Sequence, residues 1–385
     1  MSRAGVHLRV RALAPHALTP RDLGAWLDLE ARAVEPNAYH SPCFVLPALQ
    51  YLDPAAKAVV VLIERQSPGS NDLVGLAVVR QRLRSASCPL PHVETYMSRH
   101  AYLGVPLLDS HDGADAAQAL LRKVRSLAPA SAGLVIRHLD KYGALLASLE
   151  DLTRDAGRAL SCYGATNRAM LIPTWSGTDT STRSRARFTE IERCRRRMNE
   201  IGQLRWAAHR GPICDEQVDD LLRLEHLGWK AAGGSSLRSS ADDEAFFRDM
   251  TARFAAAGRA FFTDLRLDGR TVASTANYVS GGAGFAFKVG WDRHYSRFGL
   301  GILNEAELVR HAASVCGDLR FMDSGAAQGS FIDKLWPQRR KLVTVFLPTS
   351  RWGATAWKAL GLLRSLRAGR AAADATTPGP ADQRC

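Results

Sequence analysis

The sequence predicts a mixed α/β protein with two units that repeat one order of strands and helices. The chain has 385 residues, of which 46% are hydrophobic and 23% charged, so it is long enough for two hydrophobic cores. Residues 259–301 have the pattern of three consecutive strands followed by a glycine-marked helix start. Both halves show paired strands, helix, strand, helix and strand, which favours two copies of one fold, each a mixed, largely antiparallel sheet flanked by helices.

The first predicted unit is residues 1–173. Thr19 and Pro20 suit the N-cap and first position of a helix over 20–33. Runs of β-forming residues and helical spacing then predict strands at 58–66, 73–84, 133–139 and 168–173, helices at 114–127 and 141–156, and a long loop over 96–109.

The second predicted unit is residues 188–350, after a Ser-, Thr- and Gly-rich linker at 174–187. Asp268-Gly269 between two β-rich runs is a strong hairpin signal. Helices are predicted at 188–201, 215–229, 241–256 and after Gly301, and strands at 259–267, 270–280, 284–292, 318–323 and 342–347. Residues 351–385 are predicted as a basic, partly disordered tail, whose helix-like run packs on its parent domain or, as the less favoured alternative, makes a peripheral membrane contact.

Charge and cysteine content restrict the function class. The formal net charge of +13 predicts anionic ligands, such as nucleotide phosphates, anionic glycans or nucleic acid. Seven cysteines without a C-x-x-C pair argue against a disulfide framework and a zinc site, so we expect no metal. Because no apolar run has the length of a membrane span and Arg3, Arg9 and Arg11 interrupt any signal-peptide core, we expect a cytoplasmic protein.

The glycine pair Gly299 and Gly301 is the clearest candidate ligand site. Glycine lets a ligand approach the backbone closely, and the first N–H groups of a helix have no partner within the helix. These groups and the helix dipole favour a phosphate. The alternative is an ordinary helix that starts after glycine.

Four ordered blocks resemble a known family. They lie at 221–237, 261–274, 287–308 and 321–337, and the last has an Asp-x-Gly, then Lys, then aromatic ending. Together they are similar to the GNAT acyltransferase fold, and more narrowly to the CelD/BcsL-like acetyltransferase domain of bacterial exopolysaccharide and cellulose gene clusters. The tandem arrangement also resembles the Fem-type aminoacyl transferases, which have two GNAT-like units.

The resemblance implies acyl transfer from acetyl-CoA or another acyl-CoA, with the pyrophosphate on a Gln/Arg-x-x-Gly-x-Gly/Ala helix start. Gly299, Leu300 and Gly301 fit this pattern, but Ser296 takes the first position and the basic residue is displaced to Arg297. The first unit has no Gly-x-Gly, so one cofactor site is expected.

Direct acyl transfer needs a base for the acceptor and an acid for the departing thiolate. Glu225 falls on the same helical face as Leu221 and Leu222, where burial would raise its pKa toward that of a base; the alternative is a structural ion pair. Asp323 ends a predicted strand, where a turn could expose its carboxylate, and its alternative role is to cap that turn. Tyr295 is the candidate acid, although packing is the commoner role for tyrosine.

Five further residues are candidates for substrate binding: Trp229, Lys230, Lys288, Asp292 and Lys334. The arginine cluster at 192–202 lacks interleaved aromatic residues, so a solvated or paired helix face is favoured over nucleic-acid binding.

These features lead to three functional hypotheses. The leading one is an acyl-CoA-dependent N- or O-acyltransferase, by its resemblance an acetyltransferase, that acts on a polysaccharide or cell-envelope precursor or a related small amine or hydroxyl. The second is a Fem-type transferase that uses aminoacyl-tRNA, favoured by the tandem units and the charge. The third is a GNAT-like binding module without catalysis.

Overall fold

A computed structural model describes residues 7–68, 70–174, 182–227, 234 and 236–376. Within these residues, thirteen strands form one mixed sheet. The strands are β1 (Leu8–Leu13), β2 (Val59–Ser67), β3 (Ser70–Arg82), β4 (His92–Thr95), β5 (Leu107–Leu108), β6 (Gly133–Asp140), β7 (Ser161–Leu171), β8 (Leu204–Arg210), β9 (Ala260–Leu267), β10 (Arg270–Ser280), β11 (Ala283–Trp291), β12 (Phe321–Asp323) and β13 (Gln338–Pro348).

Helices cover both faces of the sheet. They are α1 (Pro20–Arg32), α2 (Pro42–Pro47), α3 (Gly113–Leu127), α4 (Ala144–Asp155), α5 (Thr182–Ile201), α6 (Asp215–Leu227), α7 (Ala241–Ala256), α8 (Leu300–Cys316) and α9 (Arg351–Thr376). The prediction of α7 is confirmed at both ends, and α8 begins beside the predicted glycines. Residues 175–181 of the predicted linker at 174–187 lie outside the described residues, and α5 begins within the linker at Thr182.

The sheet is largely antiparallel, as the sequence predicts. Its order is β1-β2-β3-β4-β6-β13-β7-β12-β11-β10-β9-β8, with β5 beside β3. Among the described strands, one parallel pair lies in each half, β4 with β6 and β11 with β12. This correspondence is what two copies of one fold produce.

The strand pairing crosses the predicted unit boundaries. β13, which the sequence analysis assigns to the second unit, pairs with β6 and β7 of the first. β7 in turn pairs with β12, where Met322 lies opposite Leu171. The two halves therefore share one continuous sheet, and the second half completes the sheet of the first.

The hydrophobic core also crosses between the halves. Phe44 of α2 packs edge-on against Phe246 of α7, with ring centroids 5.3 Å apart. Phe44 also packs edge-on against Phe287 of β11, with ring centroids 6.2 Å apart. These fully or largely buried rings hold the first half against one face of the second.

The start of α1 shows why its predicted position is correct. The Thr19 hydroxyl accepts a hydrogen bond from the Asp22 amide at 3.2 Å, and the Asp22 carboxylate accepts one from the Thr19 amide at 2.9 Å. Asp22 also pairs with Arg11 of β1. This capping box satisfies two N–H groups that a helix start otherwise leaves without partners.

Thr19→Ala is expected to lower the free energy of unfolding by about 1 kcal/mol, because an amide at the start of α1 loses its acceptor. Urea denaturation of the whole chain measures the change. Thr355→Ala, at an exposed position inside α9, is the matched control and should change stability by less than about 0.5 kcal/mol. Equal effects of the two substitutions would contradict the importance of the capping box.

Candidate active site

A cavity opens where β11 and β12 separate. The two strands pair only through Ala283–Phe285 and Phe321–Asp323. The residues that follow in each strand line a cavity of about 240 Å³. Its lining consists of Tyr102, Thr275, Ala286, Phe287, Lys288, Val289, Glu305, Ser324, Gly325, Ala326, Phe331 and Ile332. Beyond Phe285 no described strand pairs with the edge of β11 that faces β12, although the Ala286 carbonyl accepts a hydrogen bond from the Tyr39 hydroxyl at 3.5 Å. Backbone N–H groups of an edge without a strand partner can bond to a ligand.

The cavity is open to side chains from both faces of the sheet. In the register of β10 with β11, Thr275 lies opposite Val289 and Ala276 opposite Lys288. Neighbouring residues of a strand point to opposite faces. Thr275 bonds to Glu305 of α8, whereas a Cβ on Gly290 would lie 2.5 Å from the backbone nitrogen of Glu225 in α6. Glu305 therefore reaches the cavity from the α8 face and Lys288 from the α6 and α7 face.

The start of α8 forms a second concave surface, on the α8 face. Gly299 is the N-cap and has a φ of 61°, a left-handed conformation that favours glycine. A Cβ on Gly301 would lie 3.1 Å from the Trp291 ring, so the helix start packs closely on β11. The adjoining groove, of about 260 Å³, is lined by Arg187, Glu190, Ile191, Cys194, Ser296, Arg297, Phe298, Gly299, Ile302 and Leu303.

The groove combines helix N–H groups with a cationic side chain. Ser296 and Arg297 are exposed at its edge, and the Arg297 guanidinium lies 4.7 Å from the centre of the Phe298 ring. The first N–H groups of α8 have no acceptor within the helix. This surface therefore has N–H donors and a guanidinium group, which are groups that bind a phosphate or diphosphate.

Glu305 is the buried carboxyl group of the cavity. Its Oε1 accepts a hydrogen bond from the Thr275 hydroxyl at 2.9 Å, and its Oε2 has no hydrogen-bond partner among the described residues. Burial raises the pKa of Glu305 to about 7, while the Thr275 hydrogen bond opposes that rise. A carboxyl group with such a pKa is present in both protonation states near neutral pH, as acid–base catalysis requires. The sequence analysis missed Glu305.

Lys288 is held by a chain of side chains from three elements. Its Nζ lies 3.4 Å from Nδ1 of His100, and Nε2 of His100 lies 2.7 Å from Oδ1 of Asp243 in α7. Burial lowers the pKa of Lys288, against the raising effect of the charges on Glu225 and Asp243. Burial and then the charge of Lys288 lower the pKa of His100 to about 4, so this imidazole is neutral at neutral pH. The sequence analysis named Lys288 but not His100 or Asp243.

The two predicted catalytic carboxylates are both buried. Glu225 is 1% exposed, and its Oε2 accepts a hydrogen bond from the Leu237 amide at 2.8 Å. Asp323 is also 1% exposed and lies between two guanidinium groups, 3.4 Å from Arg168 and 3.2 Å from Arg340. Neither is among the residues that line the cavity.

Asp323 also has the capping contact that the sequence analysis gave as its alternative role. Its Oδ1 accepts a hydrogen bond from the Gly325 amide at 2.8 Å. Arg340 in addition bonds to Asp140 at 2.8 Å and lies 3.5 Å from Glu35. Asp323 is thus part of a buried ionic network between the halves.

Among the described residues, the other predicted candidates Asp292, Tyr295 and Lys334 lie outside the cavity lining. Asp292 caps the short 3₁₀ segment Arg293–Phe298 by accepting a hydrogen bond from the His294 amide at 3.0 Å, and the pKa of Asp292 is lowered because its bonds to His294 outweigh burial. Tyr295 lies half-buried in this segment, and Lys334 is exposed. Trp229 and Lys230 lie outside the described residues.

Two general features complete the description of the site. The described residues hold no group of three or more His, Cys, Asp or Glu side chains placed to bind a metal ion. In the same part of the chain, no helix has both the length and the hydropathy to cross a membrane.

Comparison with known families gives one sequence match. Residues 184–331 match the family model described as the acetyltransferase (GNAT) domain. This stretch contains α8, the groove at its start and most of the cavity lining. No curated protein is significantly similar to the chain in sequence.

Solved structures match over nearly the whole chain at low sequence identity. The C-terminal domain of an Agrobacterium fabrum protein described as a lysylphosphatidylglycerol synthetase is 13% identical, with a TM-score of 0.54 over 90% of this chain and 95% of that one. FemX is 9% identical, with a TM-score of 0.54 over 88% and 97%. A Bacteroides thetaiotaomicron protein of unknown function is 12% identical, with a TM-score of 0.53 over 86% and 98%. These likenesses concern the fold and extend across both halves.

Proposed function

Because residues 184–331 match the acetyltransferase (GNAT) domain model, we propose that this protein transfers an acyl group from acyl-CoA directly to an amine or hydroxyl acceptor. Acetyl-CoA is the proposed donor. The acceptor is proposed to be a polysaccharide or cell-envelope precursor, in line with the resemblance of four sequence blocks to the CelD/BcsL-like domain. The proposed reaction takes place in the cytoplasm and uses no metal.

The observation that carries this proposal is the separation of β11 and β12 beside the start of α8. The groove at Gly299 offers helix N–H groups and Arg297 to a diphosphate, and the cavity begins where the pairing of the two strands ends after Phe285. A thioester chain that follows β11 from the groove would bring its carbonyl to the unpaired strand edge. Backbone N–H groups at that edge would stabilise the oxyanion that forms during transfer.

The acyl-CoA donor and the acceptor would approach the cavity from opposite faces of the sheet. Glu305 reaches the cavity from the α8 face, which is the face of the phosphate groove. In its protonated form Glu305 is the proposed acid that gives a proton to the departing CoA thiolate. The acceptor would then enter from the α6 and α7 face, where Lys288 lies near the carboxyl groups of Glu225 and Asp243.

Titration with acetyl-CoA by calorimetry tests the donor site. We expect saturable binding that Ser296→Asp weakens at least about 10-fold, because the new carboxylate repels the diphosphate at the edge of the groove. Ser314→Asp, at an exposed position near the far end of α8, is the matched control, since it makes the same charge change away from the groove. The control should bind acetyl-CoA as the wild type does.

Two results would count against the proposal. Absence of acetyl-CoA binding would favour a binding module without catalysis. Equal loss of affinity in both variants, together with loss at modest salt, would indicate a general attraction to the positive surface.

A Fem-type transferase that uses aminoacyl-tRNA is the second candidate. The net charge of +13 and the likeness of the fold to FemX favour it. It predicts tight tRNA binding with a steep salt dependence and no acyl-CoA binding. The same calorimetric titration, repeated with tRNA, separates the two candidates.

A further inference from the structure

The side chains of Lys288, His100 and Asp243 form a hydrogen-bonded chain, and the predicted substrate-binding role of Lys288 does not explain its geometry. Its members come from three separate places: β11, the loop between β4 and β5, and α7. His100 is additionally stacked on Phe246, with ring centroids 5.7 Å apart. An imidazole fixed on both nitrogens and on its ring face sets the position of the lysine amine beside it.

The protonation states along this chain follow from its hydrogen bonds. Asp243 accepts the Nε2 hydrogen of His100, and the carboxylate is also bound by Arg99 at 2.8 Å. Nδ1 of the neutral imidazole then carries a lone pair and accepts a hydrogen from Lys288. One N–H of the amine is thereby directed away from the cavity that Lys288 lines.

On the basis of the proposed acyl transfer, we propose that Lys288 is the general base that takes the proton of the acceptor, and that His100 and Asp243 position its amine. In the neutral amine, one N–H bonds to His100 and the lone pair is free to face the acceptor in the cavity. His100 and Asp243 act through Lys288 and do not touch the substrate.

The reaction balances with these groups. The acceptor amine or hydroxyl gives its proton to Nζ of Lys288, and its lone pair forms a bond to the thioester carbonyl carbon. The carbon–sulfur bond breaks, and the thiolate takes a proton from the Glu305 carboxyl group. Lys288 then returns its proton to solvent, and Glu305 regains one, so the products are the acylated acceptor and free CoA.

The charges around Lys288 explain why its environment suits this role. Glu225 of α6 and Asp243 of α7 carry negative charge toward it, Arg99 shares Asp243, and Glu305 faces the cavity from the other side of the sheet. Burial has the larger effect and lowers the pKa of Lys288. A pKa lowered by burial increases the share of the neutral amine, which is the form that a base needs.

Competitive labelling of the wild-type protein with trace acetic anhydride, read by mass spectrometry across pH 6 to 11, tests the proposal. Only the neutral amine reacts, so the midpoint of labelling gives the pKa of each lysine. We expect the midpoint of Lys288 to lie at least about one pH unit below those of the exposed Lys57 and Lys358. A midpoint shared with these two lysines would overturn the proposal.

A matched pair of variants tests the coupling to Asp243. Asp243→Asn removes a charge that raises the pKa of Lys288, so it should lower the midpoint of Lys288 further. Asp242→Asn, at the exposed neighbouring position, should leave that midpoint unchanged. An unchanged midpoint in Asp243→Asn would contradict the positioning role of the chain.

Replacement of Lys288 separates a base from a charge-binding residue. With glucosamine as the probe acceptor and acetyl-CoA as the donor, Lys288→Met and Lys288→Arg should both lower kcat about 100-fold, because arginine does not lose its proton. Rescue of kcat by arginine would assign Lys288 to the binding of an anionic group and overturn the proposal.

The labelling result decides the inference even if glucosamine is not accepted. Failure of the inference about Lys288 can be distinguished from failure of the proposed acyltransferase function. Acetyl-CoA binding together with a labelling midpoint of Lys288 equal to those of Lys57 and Lys358 would contradict the role of Lys288 as the base, but not the acyltransferase function. Absence of acetyl-CoA binding would contradict the acyltransferase function itself.

Discussion

Asp323→Asn is expected to lower the free energy of unfolding by about 3–5 kcal/mol, the range for removing one partner of a buried ion pair. The Asp323 side chain is fully buried between Arg168 of β7 and Arg340 of β13, at 3.4 Å and 3.2 Å. The amide would leave two buried guanidinium groups without that negative charge. Because β7 and β13 belong to the central part of the shared sheet, the loss should affect both halves together.

Urea denaturation of the full chain at neutral pH measures this loss. Asp318→Asn is the matched control, because Asp318 pairs with Arg210 on the surface, where its side chain is 61% exposed. Surface ion pairs contribute about 0–1 kcal/mol, so the control should be close to the wild type. A loss below 1 kcal/mol in Asp323→Asn would mean that the network does not depend on Asp323, and would reopen its predicted catalytic role.

Glu305→Gln is expected to stabilise the protein increasingly as the pH rises, while it slows acyl transfer. The pKa of Glu305 is raised from 4.5 to about 7 by burial. The folded state therefore binds this proton more tightly than the unfolded state, and the resulting stability is present below pH 4.5 and lost as the pH rises through 7. Glutamine has no proton to lose, so the variant avoids a penalty of roughly 3 kcal/mol at pH 8.

Urea denaturation at pH 5 and pH 8 gives the difference between variant and wild type at each pH. The free energy of unfolding of the variant, relative to that of the wild type, should be higher at pH 8 than at pH 5. Glu200→Gln, at an exposed position of α5, should show no such pH dependence. A constant difference for Glu305→Gln would contradict the raised pKa.

The activity of the same variant tests the role of Glu305 as the acid. Removal of a general acid costs about 10²–10⁴-fold in rate. The fall in wild-type activity as Glu305 loses its proton above pH 7 should be missing from the pH profile of the variant. If the activity of the variant still falls above pH 7, the ionisation belongs to another group.

Much of the local structure could be predicted from the sequence. The Thr19-Pro20 pair predicts the start of α1, and Asp268-Gly269 predicts the hairpin of β9 and β10, where Asp268 and Gly269 have φ values of 49° and 84°. The signals at these positions lie within a few residues of one another. The sequence analysis did not predict β1 and β8, although apolar residues alternate with arginines at the start of both strands.

The candidate site was predicted in part. Helical spacing correctly placed Glu225 on a buried face, and the glycine pair correctly marked the start of α8. The same spacing applied to α8 would have found Glu305 among Leu303, Ala306 and Leu308, since a carboxyl group within an apolar helix carries the same signal.

The sequence by itself determined the fold class, the tandem order of elements and the position of the glycine-marked helix start, because periodicity and turn residues act over short distances along the chain. Only the tertiary structure decided that β13 enters the sheet of the first half and that His100 lies beside Lys288, 188 residues away. It also decided that Asp323 lies between Arg168 and Arg340. Such contacts depend on strand order and on packing between the halves, and neither leaves a periodic signal in the sequence.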